Sequence, residues 1–451
     1  MKKLWLISFF ILSNLFAAQA QAFDVRQQEM QKLPPLPSAH VQIHQLKNGI
    51  TCYLLEDHEI PVVNLTAWVK VGSIHTPADK VGMATLAGDL LIAGGIKDLT
   101  PEQFEQKADD LALHIASNIG SEFGNVSVET LTSTLPAALP LFVGAVFTPS
   151  FDEKRLQLGK KHLLLNLQKE QDDPNTYTSV LFHQLMYGEN SPWARRPNKK
   201  TIASITRADL QKFHTDFFVP SNTSFAISGD FNSAQILAEL EKLTVDFTGG
   251  TVSFPQVMPV ELSFPALEKR VVRKLTQSSI RVGHLGVKRH NPDIYALHVM
   301  NAVLGGGVFQ SRLMQEIRVK RGLSYNVRSS FGQNLDYGEF LVSTATKASS
   351  TEETLGLIRS EIGKMARGEG LTAAELNFAK ESLVNKLIFK FESSEQMVND
   401  FVTNRLLGYP ENYWQLYLQK VKAVSLADVK KVAAEYLHPD GLKIVVLGPK
   451  T

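Results

Sequence analysis

Hydrophobic positions along the chain recur with two different periods. In "VGMATLAGDLLIAGG" (residues 81–95), Met83, Leu86, Ala87, Leu90 and Leu91 fall at helical spacing, which predicts a short helix with one buried face. Its other face carries Thr85, Gly88 and Asp89. That face is odd: a glycine in mid-helix costs about 1 kcal/mol relative to alanine, and Asp89 has no obvious local partner. "PVVNLTAWVKVGS", "GNVSVETLTS" and "GEFLVSTATK" instead alternate residue by residue, as antiparallel strands do. "SNIGSEFGNVSVETL" (residues 117–131) reads as one strand, polar first and then alternating. At the start of the chain, Lys2 and Lys3 precede the apolar run "LWLISFFILSNLFAA" and then "AQAQA". This charged, apolar, small-residue order predicts a signal peptide over residues 1–22, cleaved after Ala20 or Ala22. The run is short for a membrane span, and no second stretch of about 18 apolar residues follows. A periplasmic or secreted protein with no transmembrane segment in its mature chain is expected.

The pattern also repeats. "SITRADLQKFHTDFFVPSNTSFAISGD" aligns without a gap on "AVSLADVKKVAAEYLHPDGLKIVVLGP", with Ser204 placed on Ala423. Ala208-Asp209 then matches Ala427-Asp428, Lys212 matches Lys431, Pro220 matches Pro439 and Gly229 matches Gly448. Each copy reads as a capped helix, a proline turn and a strand, with Thr206 and Ser425 as natural N-caps. A second pair, "FDEKRLQLGKKHLLLNLQK" and "LTAAELNFAKESLVNKLIFK", aligns at nearly the same interval. That interval is far too long for a solenoid. It predicts two homologous α+β domains, each a mainly antiparallel sheet with helices packed on one face. "TGGTVSFPQVMPVELSFP", rich in glycine and proline, separates them. The expected boundaries are an N-terminal domain over 23–247, a linker over 248–268 and a C-terminal domain over 269–451.

Composition narrows the chemistry. With 451 residues, 44% hydrophobic and 20% charged, the balance is that of an ordinary globular protein. A formal net charge of +2 and no long Lys/Arg block leave no stripe for nucleic acid. Cys52, the one cysteine, lies in the strand pattern "GITCYLLE" and is expected in the core; no intrachain disulfide can form. "LGGGVF" (residues 304–309) lacks the remainder of a phosphate loop and reads as a turn after a buried helix. His40 and His44 in "HVQIH" sit in an extended pattern, so they need not converge on a metal.

"VGMATLAGDLLIAGGIKDLT" resembles the signature helix of the pitrilysin-type zinc peptidases, the inverzincins, whose members carry His-x-x-Glu-His in a similar frame. Thr85, Gly88 and Asp89 stand at those three positions. In the family, two histidines one helical turn apart hold zinc and the glutamate between them activates the bound water. The resemblance places the third ligand at Asn166 and a further acidic position at Gly159. Of the ligand positions only Asp89 suits a metal, and Gly88 has no side chain to act as base. No zinc and no other cofactor is therefore expected. "NAVLGGGVFQSRLMQEIRVKRGLSYNV" is similar to the family's most recognisable C-terminal segment, where an Arg and a Tyr contact substrate and the scissile carbonyl beside the zinc of a facing domain. Arg318 and Tyr325 match them. Leu313 and Ile317 are expected on the buried face of the preceding helix. Tyr325 and Val327 are expected to share a face of the following strand.

Loss in one half and retention in the other imply a non-catalytic partner subunit. In the family's four-domain working unit, such a chain would pair with a zinc-bearing peptidase subunit as a heterodimer, or with itself as a homodimer, and offer Arg318 and Tyr325 to a peptide substrate. The resemblance also implies that an edge strand within residues 117–131 receives the peptide by β-addition. Two alternatives stay open: a structural or peptide-binding protein with no role in proteolysis, and a peptidase with atypical ligands such as Asp89 and His162.

Overall fold

The computed structural model describes residues 41–307 and 309–450; the expected signal peptide and His40 lie outside them. In the first half, β1 (Gln42–Gln45), β2 (Thr51–Glu56), β3 (Val62–Val69), β4 (His114–Ile119), β5 (Gly124–Leu131) and β6 (Thr223–Gly229) form one sheet in the order β1-β2-β6-β3-β5-β4. In the second half, β7 (Leu267–Val272), β8 (Gln277–Leu285), β10 (Val327–Phe331), β12 (Glu339–Lys347) and β13 (Lys443–Gly448) form another, ordered β10-β12-β8-β13-β7. β9 (Val287–Lys288) and β11 (Gln333–Asn334) pair separately. Leaving β1 aside, the two main sheets have the same connectivity. Each is antiparallel except for one parallel pair, β2–β6 and β7–β13. The alternating segments fold as read, since β3, β5 and β12 lie within them.

The first half carries helices α1 (Met83–Ala93), α2 (Pro101–Asp110), α3 (Leu135–Phe147), α4 (Glu153–Asp172), α5 (Pro174–Tyr187), α6 (Lys199–Ser204), α7 (Arg207–Phe217) and α8 (Ser233–Thr244). The second carries α9 (Ile294–Asn301), α10 (Thr351–Ala366), α11 (Ala373–Ile388), α12 (Ser394–Leu406), α13 (Tyr413–Ala423) and α14 (Leu426–Tyr436). The repeated segments map onto equivalent elements: α4 with α11, and α7–β6 with α14–β13. Thr206 and Ser425 both close capping boxes, with Asp209 and Asp428 reaching back to them.

The helices of each half do not account for both faces of its sheet. α5 crosses to the second half, where Leu181, Phe182 and Met186 pack with Leu285, Val445 and Leu447. α12 makes the reciprocal crossing, setting Val398 and Val402 against Tyr53 and Ala226. There the Trp68 indole donates to Asn399 Oδ1 at 2.8 Å. Each half thus lends a helix to the other. A buried side chain of this size contributes roughly 2 kcal/mol, so the exchange contributes on the scale of a domain's whole net stability. Arg289 adds an ion pair across the halves, donating to both oxygens of Glu122 at 2.7 and 2.9 Å.

Two sequence expectations shift. Residues 245–266 carry no helix or strand, but β7 begins at Leu267, inside the expected linker, because parallel pairing with β13 recruits it. The single strand expected over 117–131 is a hairpin, β4–β5, whose turn at Gly120 and Ser121 accepts hydrogen bonds from Ser73 N and Ile74 N. Cys52 is fully buried in β2, and burial pushes its thiol up to about 12. Among the described residues no helix is long and apolar enough to cross a membrane.

Candidate functional site

α1 is preceded by its N-cap Gly82, whose φ of 105° is a backbone conformation that favours glycine. Met83, Leu86, Ala87, Leu90 and Leu91 are buried as the pattern requires, and Thr85 and Asp89 are exposed. Gly88 is buried too, and its surroundings explain the residue. A Cβ there would lie 2.9 Å from Ile119 N and 3.3 Å from Asn118 C, on the backbone of β4. Ser117 Oγ donates to Gly88 O at 2.6 Å and fixes the approach. The glycine is a contact between a helix and an edge strand.

α4 packs beside α1 in the same way. A Cβ on Gly159 would come within 3.2 Å of Leu86 Cδ2, so the Leu86 side chain occupies the space in front of it. His162 and Asn166 follow on α4, both exposed. Protein atoms crowd Asp89 enough that desolvation raises its carboxyl above the ordinary value, with the charge of His162 pulling the other way. Asp89 and His162 are therefore electrostatic neighbours. Among the described residues, no three His, Cys, Asp or Glu side chains converge to hold a metal ion. Catalytic zinc takes three protein ligands and an open position. One carboxylate, one outlying imidazole and a closed helix–strand contact do not fit it.

β4 is the edge of its sheet, bonded on one side to β5 and on the other to no strand among the described residues. It presents an extended backbone six residues long.

In the second half α9 runs into a π-helical turn, Ala302–Gly306. Gly305 sits where a Cβ would meet Leu313 Cδ1 and Ser329 Oγ, both at 2.7 Å. Asn301 ties the turn to β10: Nδ2 donates to Ser329 O at 3.2 Å, and Ser329 Oγ donates to Asn301 Oδ1 at 2.7 Å. The glycine run is a close-packed turn after a buried helix. A second π-helical turn, Met314–Val319, follows, with Lys320 N bonded five residues back to Gln315 O at 2.9 Å. Such turns recur at functional sites because the extra residue re-aims the side chains around it.

Leu313 and Ile317 are fully buried and Arg318 is partly exposed. The other cations of this segment are committed: Arg312 to Glu375, and Lys320 and Arg321 to Glu316. The Arg318 side chain has no hydrogen-bond or ion-pair partner among the described residues; its guanidinium lies 4.5 Å from the centre of the Phe309 ring. Tyr325 is 88% exposed, whereas Val327 is fully buried. The expectation that they share a strand face is corrected. Ser324 Oγ accepts from Asn326 N at 3.2 Å and Thr344 Oγ1 donates to Asn326 O at 2.9 Å, and this kink delays the strand until Val327. No hydrogen bond joins Arg318 to Tyr325 among the described residues.

A cavity of about 550 Å³ between the halves was not legible in the sequence. Its lining includes Lys70, His75, Phe123, Phe254, Arg289 and His290. They come from both halves and the intervening segment, with no motif connecting them.

Two family models match the chain. One, described as "Insulinase (Peptidase family M16)", covers residues 51–192; the other, described as "Peptidase M16 inactive domain", covers residues 204–383. A Bacillus subtilis protein named "Uncharacterized zinc protease YmxG" is 22% identical over 402 residues, 89% of this chain and 96% of its own. A Helicobacter pylori protein named "Non-peptidase homolog YmxG" is 24% identical over 416 residues, 91% of this chain and 94% of its own. The chain also resembles a solved "peptidase M16 inactive domain" from Pseudomonas fluorescens, with a TM-score of 0.83 and 25% identity, covering 91% of this chain and 98% of that one.

Proposed function

The chain belongs to the M16 peptidases, the pitrilysin-type family, and from that premise we propose that it is a member with neither zinc nor peptidase activity of its own. It is exported and works as the partner of a zinc-bearing subunit of the same family. There it lends Arg318 and Tyr325 to a peptide held at the partner's metal.

The observation that carries this reading is the contrast between the two halves. Where the family places its metal and base, α1 is closed onto β4 at Gly88, and Asp89 is the single metal-binding residue left at the ligand positions. Where the family places its substrate contacts, the Arg318 guanidinium has no ion-pair partner among the described residues and Tyr325 stands in solvent. A chain kept only as a scaffold gains nothing from such a pair. The name of the Helicobacter relative supports the absence of peptidase activity, while the Bacillus name points the other way. The edge of β4, unpaired on its outer side among the described residues, supports a peptide-binding role.

The test is to purify the native complex through a tag on this chain and to follow cleavage of an unstructured fluorogenic peptide. Arg318→Ala and Tyr325→Phe should each slow turnover about 10²-fold, the low end for losing one preorganised oxyanion donor, with the partner's zinc content unchanged. Equal cleavage with both residues replaced would make this a structural or peptide-binding chain with no part in proteolysis.

A further inference from the structure

We propose that Phe309 is the positioning residue for Arg318: its ring holds the guanidinium in place while leaving its N–H groups without a hydrogen-bond partner among the described residues. The proposal deepens the partner-subunit reading and rests on it for the use to which Arg318 is put, though not for the contact itself.

A surface arginine with no partner samples many rotamers, and fixing it costs side-chain entropy. A carboxylate would fix it but would also occupy its donors and cancel its charge. That is the arrangement at Arg312, Lys320 and Arg321. An aromatic face fixes it differently. The guanidinium is planar and weakly hydrated, so it stacks on a ring and keeps its donors, which lie in its own plane, pointing outward. Arg318, 4.5 Å from the centre of the Phe309 ring, stands at the separation this second way requires.

The backbone that carries the ring is tethered. Gln315 Nε2, from the same π-helical turn as Arg318, donates to Phe309 O at 2.6 Å. Phe309 follows the close-packed glycine turn that Asn301 fastens to β10. Lys386 of α11 adds a bond to Gly306 O at 3.2 Å. Phe309 is nonetheless 56% exposed. A ring that served only the core would not be left so open.

The test uses the full chain and three variants: Phe309→Leu, which keeps apolar bulk without a π face, Phe309→Tyr, which keeps the face, and Arg318→Ala as reference. In arginine-labelled protein, the Nε–H resonance of Arg318 should carry a ring-current shift in wild type and in Phe309→Tyr, and lose it in Phe309→Leu. An unchanged resonance in Phe309→Leu overturns the proposal on the isolated chain, whatever the complex does. In the native complex, Phe309→Leu should lower kcat about fivefold at near-constant KM, the scale of one cation–π contact, and Phe309→Tyr should restore it. Slow turnover in Arg318→Ala with normal turnover in Phe309→Leu also overturns the proposal. Normal turnover in Arg318→Ala overturns the partner-subunit reading instead.

Discussion

Gly88→Ala distinguishes a glycine kept for packing from one left behind by a lost side chain. In an unencumbered helix the change stabilises by up to about 1 kcal/mol, because alanine has less backbone freedom to lose on folding. At Gly88 the added methyl would lie 2.9 Å from Ile119 N and 3.3 Å from Asn118 C, both backbone atoms of β4 that cannot rotate away. Overpacking of that kind costs about 1–3 kcal/mol. If β4 retreats, the 2.6 Å bond from Ser117 to Gly88 O lengthens, with about 1 kcal/mol more at stake. The sum is a net loss of about 1–2 kcal/mol where propensity alone gives a gain. Gly356 supplies the internal control: it lies exposed in mid-α10, and nothing stands within 4 Å of where its Cβ would be. Urea denaturation of the full chain, followed by circular dichroism, should show the midpoint falling for Gly88→Ala and rising for Gly356→Ala. Equal stabilisation by both changes would mean that α1 and β4 are not closed onto each other.

Three further outcomes are expected. Removing one partner of the Arg289–Glu122 pair, whose side chains are only 13% and 14% exposed, should destabilise by about 2–3 kcal/mol; a double-mutant cycle with Arg289→Met and Glu122→Gln that shows no coupling would deny the contact. His183 is held above its ordinary value of 6.5 chiefly by its hydrogen bond to Glu339, against the pull of burial. Its stabilising contribution is therefore full below about pH 6.5 and lost as pH rises through the raised value. The Tm gap between wild type and His183→Gln should then be wider at about pH 6 than at about pH 9, and a gap that widens with pH would reverse the assignment. Val402→Asp, which puts a charge into the buried seam between α12 and the first sheet, should lower stability by about 3 kcal/mol or more; a near-wild-type Tm would mean that the crossing of α12 is not what covers that sheet.

The legible parts of the fold are those whose signal is local. The apolar face of α1, the alternation in β3, β5 and β12, and the caps at Thr206 and Ser425 all follow from spacing a few residues long. The internal repeat anticipated two equivalent domains. It was silent on the crossing of α5 and α12, because an apolar helix face does not say which sheet it covers. Gly88 shows the same limit: the sequence places it where the family has its base, and only the long-range approach of β4 shows that it is also a contact. The hairpin turn at Gly120 and the kink at Ser324 depend on partners about 50 and 20 residues away, Ser73 and Thr344, that no short window contains. Arg318 and Tyr325 were found by resemblance.

The most direct measurement is the metal content of the full chain, purified without chelator and then offered one equivalent of zinc before desalting. With Thr85, Gly88, Asp89 and Asn166 at the family's metal and base positions, the protein should retain far less than one zinc per chain, and Asp89→Ala should not alter that value. One tightly held zinc per chain, lost on replacing Asp89 or His162, would contradict a zinc-less partner subunit and make the chain a metalloenzyme with an atypical ligand set.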